Sequence, residues 1–242
     1  MRIAVVGGGV AGLSIAGRLA QAGAAVTVFE TGALPARAGA ATWASAGMLC
    51  ARLEMGEAPA VLSAFGKSAR AAWPGFAAEI ERISAISPGF AETGALVTTD
   101  GHGAGDGLVV VEGDAVRRLE PGLAPHVERA LWAPGEARVD PRWLALGLAR
   151  AAQKLGATLV PNARVIRVTE AGGRVTGVVV GGALERFDHV IAAAGAWTGG
   201  LLKVSNVPGP VVRPVKGQML SLAGDPKAMP VTRLVWAEGA YI

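Results

Sequence analysis

Apolar runs separated by small residues dominate the start of the chain. Arg2-Ile3-Ala4-Val5-Val6 reads as a buried strand, Gly7-Gly8-Gly9-Val10-Ala11-Gly12 as a turn, the stretch to Ala22 as a helix, and Ala25 to Phe29 as a second strand ending in Glu30. Short apolar runs with a helical segment between them predict a βαβ unit with parallel strands. After Glu30 the pattern lapses into a small-residue loop, Thr31 to Ala51, in which no strand is predicted. Long loops of this kind are usually functional. Helical periodicity resumes from Pro59 to Ile86, through Val61, Phe65 and Ala69 and then Phe76, Ile80 and Ile83. The Trp73-Pro74 step predicts two helices or one broken at the proline, with the aromatic positions in the core.

From Ala95 the chain changes character. Strands Ala95 to Thr99 and Leu108 to Glu112 flank a glycine-rich tip, Gly101 to Gly107, and a short helix runs from Asp114 into Glu120-Pro121. Asp140-Pro141 then supplies an N-cap and a first-turn proline; Leu144, Leu148 and Leu155 share one face, and Gly156 stops the helix. A strand Thr158 to Val160, a hairpin of Arg164 to Thr169 with Val175 to Val180, and a buried strand Asp188 to Ala193 follow. The last strand enters a second small-residue turn, Ala194-Gly195-Ala196-Trp197. The expected fold is α/β: a discontinuous Rossmann-like domain, 1–88 with 137–205, and an inserted, mainly antiparallel α+β domain, 89–136 with 206–242.

The spacing Gly7-x-Gly9-x-x-Gly12 between a strand and a helix is what a dinucleotide diphosphate requires. Gly7 permits the tight exit from the strand, Gly9 lets the main chain approach the phosphates, and Gly12 lets the helix pack closely. The free N–H groups and positive dipole end of the helix then stabilise the anion. Glu30, about 20 residues further on, can accept both hydroxyls of an adenosine ribose. A 2′-phosphate there would set two anions together, which disfavours NADP. The alternative readings are a glycine turn without a ligand, in a chain with 35 glycines, and a solvated carboxylate at a strand end. The segments expected to grip the ligand are 7–12, 30–31, roughly 41–48, 163–167 and 192–197.

Composition narrows the class. Hydrophobic residues make up 51% of the chain and the mean hydropathy is +0.41. The longest uncharged run, Ile3 to Gly17, nevertheless holds the glycine turn and is shorter than the ~20 residues of a spanning helix. No membrane span or signal peptide is expected. The net charge of +4 comes from 23 basic residues scattered singly, which leaves no nucleic-acid footprint. The lone Cys50 excludes an internal disulfide and suits a cytoplasmic location. His102, His126 and His189 lack metal-ligand spacing, so no metal is expected.

The motif set Gly7-x-Gly9-x-x-Gly12, Glu30, Ala41-Thr42-Trp43-Ala44-Ser45-Ala46-Gly47-Met48-Leu49, Val139-Asp140-Pro141 and Asp188 to Trp197 resembles the FAD-dependent D-amino-acid oxidase family. Within it, Ala46-Gly47-Met48-Leu49 is most similar to glycine oxidases of the ThiO type, enzymes of thiamine biosynthesis. Pro214-Val215-Lys216-Gly217-Gln218 and Tyr241-Ile242 match as well. The resemblance implies a GR2-type flavoprotein with FAD as cofactor. It implies that Val10 and Ala11 touch the pyrophosphate, Glu30 and Thr31 the ribose, and Ala41 and Thr42 the phosphates or ribityl chain. Ala46, Gly47 and Met48 would lie against the isoalloxazine ring, Val165 beside the adenine, and Ala194 and Gly195 in the second turn of the site. Met48 and Tyr241 are the implied catalytic residues, Tyr241 on the substrate carboxylate. Lys216 invites a catalytic role but reads rather as a surface or phosphate-neighbouring lysine, and Cys50 is not expected to attach the flavin covalently.

The implied reaction is oxidative deamination of glycine or a small amino acid, through an imine to a 2-oxo acid, with dioxygen as partner and hydrogen peroxide released. Two alternatives stand beside it: a D-amino-acid or sarcosine-type dehydrogenase with another electron acceptor, and an FAD-binding fragment without turnover. The family pattern continues past Ile242 into substrate-binding arginines and a further flavin-contacting helix, so the chain is expected to be C-terminally incomplete. The segment from Thr98 to Arg118 is also shorter than its counterpart. Homo-oligomerisation is left open.

Overall fold

Residue 4 to residue 6 of the first strand have side chains almost wholly removed from water, which requires cover on both faces of the sheet that contains them. In a computed structural model that describes residues 1–35, 39–55, 58–98, 107–221, 223, 225, 231–237 and 240–242, this strand, β1 (Arg2–Val6), lies inside a four-stranded parallel sheet. His189–Ala192 pairs on one side of it and β2 (Ala25–Phe29) on the other, with Thr158–Val160 beyond β2. The helix α1 (Val10–Gln21) links β1 to β2 and buries Gly12, Leu13, Ala16, Gly17 and Ala20. Those small residues bring α1 against its neighbours; a Cβ at Gly17 would stand 3.7 Å from Leu155. The helix Pro141–Lys154 buries Leu144 and Leu148 as its pattern predicts, and Gly156 ends it at φ +101°.

The predicted hairpin forms as Val165–Ala171 with Arg174–Val180, and an exposed third strand, Ala183–Arg186, extends it. Alternation gave no sign of that strand, because none of its side chains is buried. The sheet's inner face joins β1 and β2 in one core through Val168, Val178 and Phe187, the last packing edge-on to Phe29 at 5.8 Å.

The chain clusters into two compact units, one of Met1–Ala46, Ala78–Pro88 and Pro141–Met219, the other of Gly47–Ala77, Gly89–Asp140 and Leu220–Ile242. Residues 47–77 and 137–140 thus fall in the second unit, where the sequence grouped them with the first. A strand inside the small-residue loop accounts for part of this: Met48–Leu49 pairs antiparallel with Ala137–Arg138. The loop also contains a one-turn helix, Ala41–Ala44. The second unit holds a five-stranded sheet ordered Ala240–Tyr241, Leu234–Ala237, Ala95–Val97, Arg129–Ala133, Val109–Glu112. Its pairs are antiparallel except Leu234–Ala237 with Ala95–Val97, which are parallel. The buried Glu120 carboxylate ties this sheet's late strand to the helix Asp114–Leu119, accepting from Thr232 N at 2.7 Å and Arg233 N at 3.0 Å.

Pro74 does not break the helix around it. Ala60–Ser84 is one helix of 25 residues with the proline inside. Ile80 is buried as the pattern predicts, but the rest of the inner face differs: Val61 is 80% and Phe65 68% exposed, whereas Gly66, Arg70, Ala77 and Ser84 are buried. The reason is Arg70, a charged residue on the inner face, whose guanidinium pairs with Glu92 at 2.8 Å and lies over the Phe90 ring. Trp73, on the same side, stacks on Phe90. Trp73 also packs edge-on against Phe76 at 5.4 Å, across Pro74, so the helix is held on both flanks and the missing N–H is the local cost. The predicted tip Gly101 to Gly107, except Gly107, lies outside the described residues, as do His102 and Thr99. Among the described residues no helix is long and apolar enough to cross a membrane.

Candidate cofactor site

Parallel strands deliver their following loops to one edge of the sheet, and here two such loops meet. Gly7 leaves β1 at φ +115°, and a Cβ on it would collide with the carbonyl oxygen of Ala193. Ala193 itself donates its N–H to Val6 O at 2.9 Å. The glycine turn and the Ala194-Gly195-Ala196-Trp197 turn are therefore side by side, with Ala194 opening a single 3-10 turn and Gly195 at φ +54°. Gly12 is equally constrained, since a Cβ there would run into the Gly7 carbonyl. Gly9 is different: the nearest atom to an added Cβ is Thr42 Oγ1 at 3.3 Å. The glycines at 7 and 12 serve the fold, and the one at 9 leaves a face open.

The open face looks onto the start of α1. The first turn carries no acidic residue, and Val10 and Ala11 are exposed. Val10 donates its N–H to Thr42 Oγ1 at 3.0 Å, so a hydroxyl oxygen already sits where an anionic oxygen would be held. A cradle of main-chain donors, bare at Gly9 and free of acidic side chains, fits a diphosphate.

Glu30 stands at the end of β2. Its Oε2 accepts from Gly8 N at 2.8 Å and its Oε1 from Gly32 N at 3.0 Å. Both oxygens are oriented by backbone donors, and each keeps a further lone pair for a ribose hydroxyl. The main chain around Glu30 is fixed by Val160 and Ala163, through Glu30 N to Val160 O and Ala163 N to Glu30 O. Thr31 follows, exposed. Val165 is buried in the same core as Phe29, near the Glu30 end of the sheet, and pairs with Val180. Ala41 is exposed on the Ala41–Ala44 turn, and Ala46 closes the first unit's opening segment. The structure thus brings Gly7, Gly9, Val10, Ala11, Gly12, Glu30, Thr42, Ala194 and Gly195 to one sheet edge. One neighbour carried no sequence signal: the guanidinium of Arg142, a hundred residues from the motif, lies 5.6 Å over the Trp43 ring.

Gly47, Met48 and Tyr241 belong to the second unit. Gly47 takes φ +77° and its carbonyl accepts from Val139 N at 2.8 Å. Met48 and Trp236, both half-buried, pack on a core of Cys50, Ala95, Ala133 and Leu234. Tyr241 lies across the strand pair from Trp236, with ring centroids 5.7 Å apart. Trp236 thus touches Tyr241 directly and shares a core with Met48. Burial, with the nearby Glu136 and Glu54 charges adding to it, pushes the Cys50 thiol up to about 12. Cys50 is a protonated core residue, without the thiolate that a covalent flavin link needs.

A family profile described as DAO, FAD dependent oxidoreductase, matches residues 2–241. The glycine oxidase of Bacillus licheniformis is 30% identical over 247 residues, 98% of this chain and 65% of its own length. The bifunctional protein ThiO/ThiG of a Nostoc species is 32% identical over 257 residues, 99% of this chain and 37% of its own. Among solved structures, glycine oxidase from Geobacillus kaustophilus superposes with a TM-score of 0.80 at 26% identity, covering 99% of this chain and 67% of that one. The chain thus spans less than two thirds of the length of the first two of these relatives. With a profile match from Arg2 to Tyr241 and a glycine turn of matching form at the edge of its parallel sheet, the chain belongs to the DAO family of FAD-dependent oxidoreductases.

Proposed function

We propose that the first unit binds the FAD of an amine oxidase acting on glycine or a small amino acid. The observation that carries this reading is the convergence of the Gly7–Gly12 turn, the oriented Glu30 carboxylate and the Ala194–Trp197 turn at one edge of the parallel sheet. In it, the N–H groups of Val10 and Ala11 hold the pyrophosphate, Thr42 exchanges its bond with Val10 for one to a phosphate oxygen, and Gly7, Gly9 and Gly12 shape the cradle. Glu30 takes the ribose hydroxyls with Thr31 beside it, Val165 flanks the adenine, and Ala41, Ala194 and Gly195 line the remaining course of the cofactor. Ala46, Gly47 and Met48 as ring contacts, and Tyr241 on the substrate carboxylate, rest on the family resemblance.

When bound, FAD would supply a two-electron acceptor for oxidation at the substrate's Cα–H bond, with dioxygen as the final oxidant. In balance, the amine, dioxygen and water give a 2-oxo acid, ammonia and hydrogen peroxide. Tyr241 binds and orients, and Met48 packs; neither needs to move a proton if the amine arrives neutral. That two relatives are named glycine oxidase supports glycine as the substrate.

Anaerobic mixing of the FAD-loaded chain with glycine tests the activity. Loss of the oxidised-flavin absorbance, followed by peroxide when air is readmitted, is the expected result; an unchanged spectrum contradicts turnover. The ribose assignment is tested separately. Glu30→Ala removes a charged acceptor and is expected to weaken FAD binding by ~1.5–3 kcal/mol in a fluorescence titration, and unchanged affinity rejects it.

A further inference from the structure

The turn that places Thr42 in the cradle cannot hold itself. Ala41–Ala44 is a helix of four residues, its N-cap is Ala40 with no side-chain cap, and a single helical turn is unstable alone. Ser45 Oγ closes one end by donating to Thr42 O at 2.9 Å. Its one large side chain, Trp43, is only half-buried, and the Arg142 guanidinium lies 5.6 Å over the indole ring. Arg142 is the second residue of the helix Pro141–Lys154. The face of an indole carries negative potential, which attracts a guanidinium placed over it.

We propose that Arg142 is a positioning residue for the cofactor: by clamping Trp43 it fixes the Ala41–Ser45 turn, so that the Thr42 hydroxyl stands at the first N–H of α1, within reach of the pyrophosphate. This rests on the FAD reading above. In this proposal Arg142 reaches the cofactor through Trp43 and Thr42. The Thr42–Val10 bond of 3.0 Å is the last link of that chain, and Thr42 Oγ1 is also the atom nearest the open side of Gly9. An indole under a guanidinium has fewer orientations than a free one, so the hydroxyl is held in place before the ligand arrives.

A double-mutant cycle on FAD affinity tests it, with apoprotein titrated by FAD for the wild type, Arg142→Ala, Arg142→Lys, Thr42→Val and Arg142→Ala/Thr42→Val. Arg142→Ala is expected to raise Kd about 2–5-fold, with Arg142→Lys between it and the wild type. Thr42→Val is expected to raise Kd about tenfold, and the double variant to bind no more weakly than Thr42→Val, because the two residues act in series. Apoprotein melts are run alongside, and a rise in Kd that merely tracks a lowered melting temperature overturns the positioning role. Wild-type affinity in Arg142→Ala, or fully additive losses in the double variant, overturns the positioning role while leaving the FAD reading intact. Absence of saturable FAD binding by the wild type overturns both.

Discussion

Three glycines of one motif carry different burdens. At Gly7 and Gly12 a methyl group would strike the carbonyls of Ala193 and Gly7, so their cost is to the fold; at Gly9 it would meet only Thr42 Oγ1. Spacing gives that division, with Gly7 and Gly12 serving the chain and Gly9 the ligand, but it hides the partner at Gly7, because the Ala193 carbonyl follows a strand far along the chain. The pattern does expose Glu30, whose type and position suffice, yet the Gly8 and Gly32 N–H groups that aim its oxygens depend on how the chain bends after β2. Cys50 is a second case. Sequence marks it as a lone thiol beside the flavin motif, and burial then raises its pKa to about 12. The native chain should resist iodoacetamide at pH 8 and react only after unfolding; rapid labelling of the folded protein would contradict the burial.

Elements with a regular period were legible, and those stabilised by charge were not. The strand Thr158–Val160 and the helix from Pro141 emerge as the pattern predicts, since apolar residues alone set their inner faces. In Ala60–Ser84 the inner face includes Arg70, so hydrophobicity pointed to Val61 and Phe65, which face solvent. The strand Leu234–Ala237 escaped notice for a related reason: an acid on another element holds its approach. Burial acting alone would raise the Glu120 pKa, but the N–H groups of Thr232 and Arg233 and the Thr232 hydroxyl outweigh it and hold the carboxyl below its ordinary 4.5. The folded value lies under the unfolded one, so this stabilisation is present above the ordinary carboxylate range and is lost as pH falls through the folded value. Glu120→Ala should lower the unfolding free energy by about 3 kcal/mol at pH 7 in a urea titration. Glu120→Gln should flatten the acid limb of the stability profile; an unaltered limb would show that the latch contributes nothing.

At the scale of the molecule, the opening βαβ unit and the tryptophan turn are distant in sequence and adjacent in space because His189–Ala192 pairs directly with β1. The periodic pattern supplied both strands, and topology supplied their adjacency. The grouping of 47–77 with the second unit was hidden, since a two-residue strand such as Met48–Leu49 has too few positions to show a period. Family membership accounts for the presence of the cradle, and the proposed function seats the ligand on the open face at Gly9. Titrating wild-type and Gly9→Val apoprotein with FAD, alongside thermal melts of both, addresses that meeting point. The wild type is expected to bind FAD saturably at one per chain, and Gly9→Val to melt near the wild-type temperature while showing no saturable binding. Equal FAD binding by the two proteins would contradict a diphosphate seated over the glycine turn.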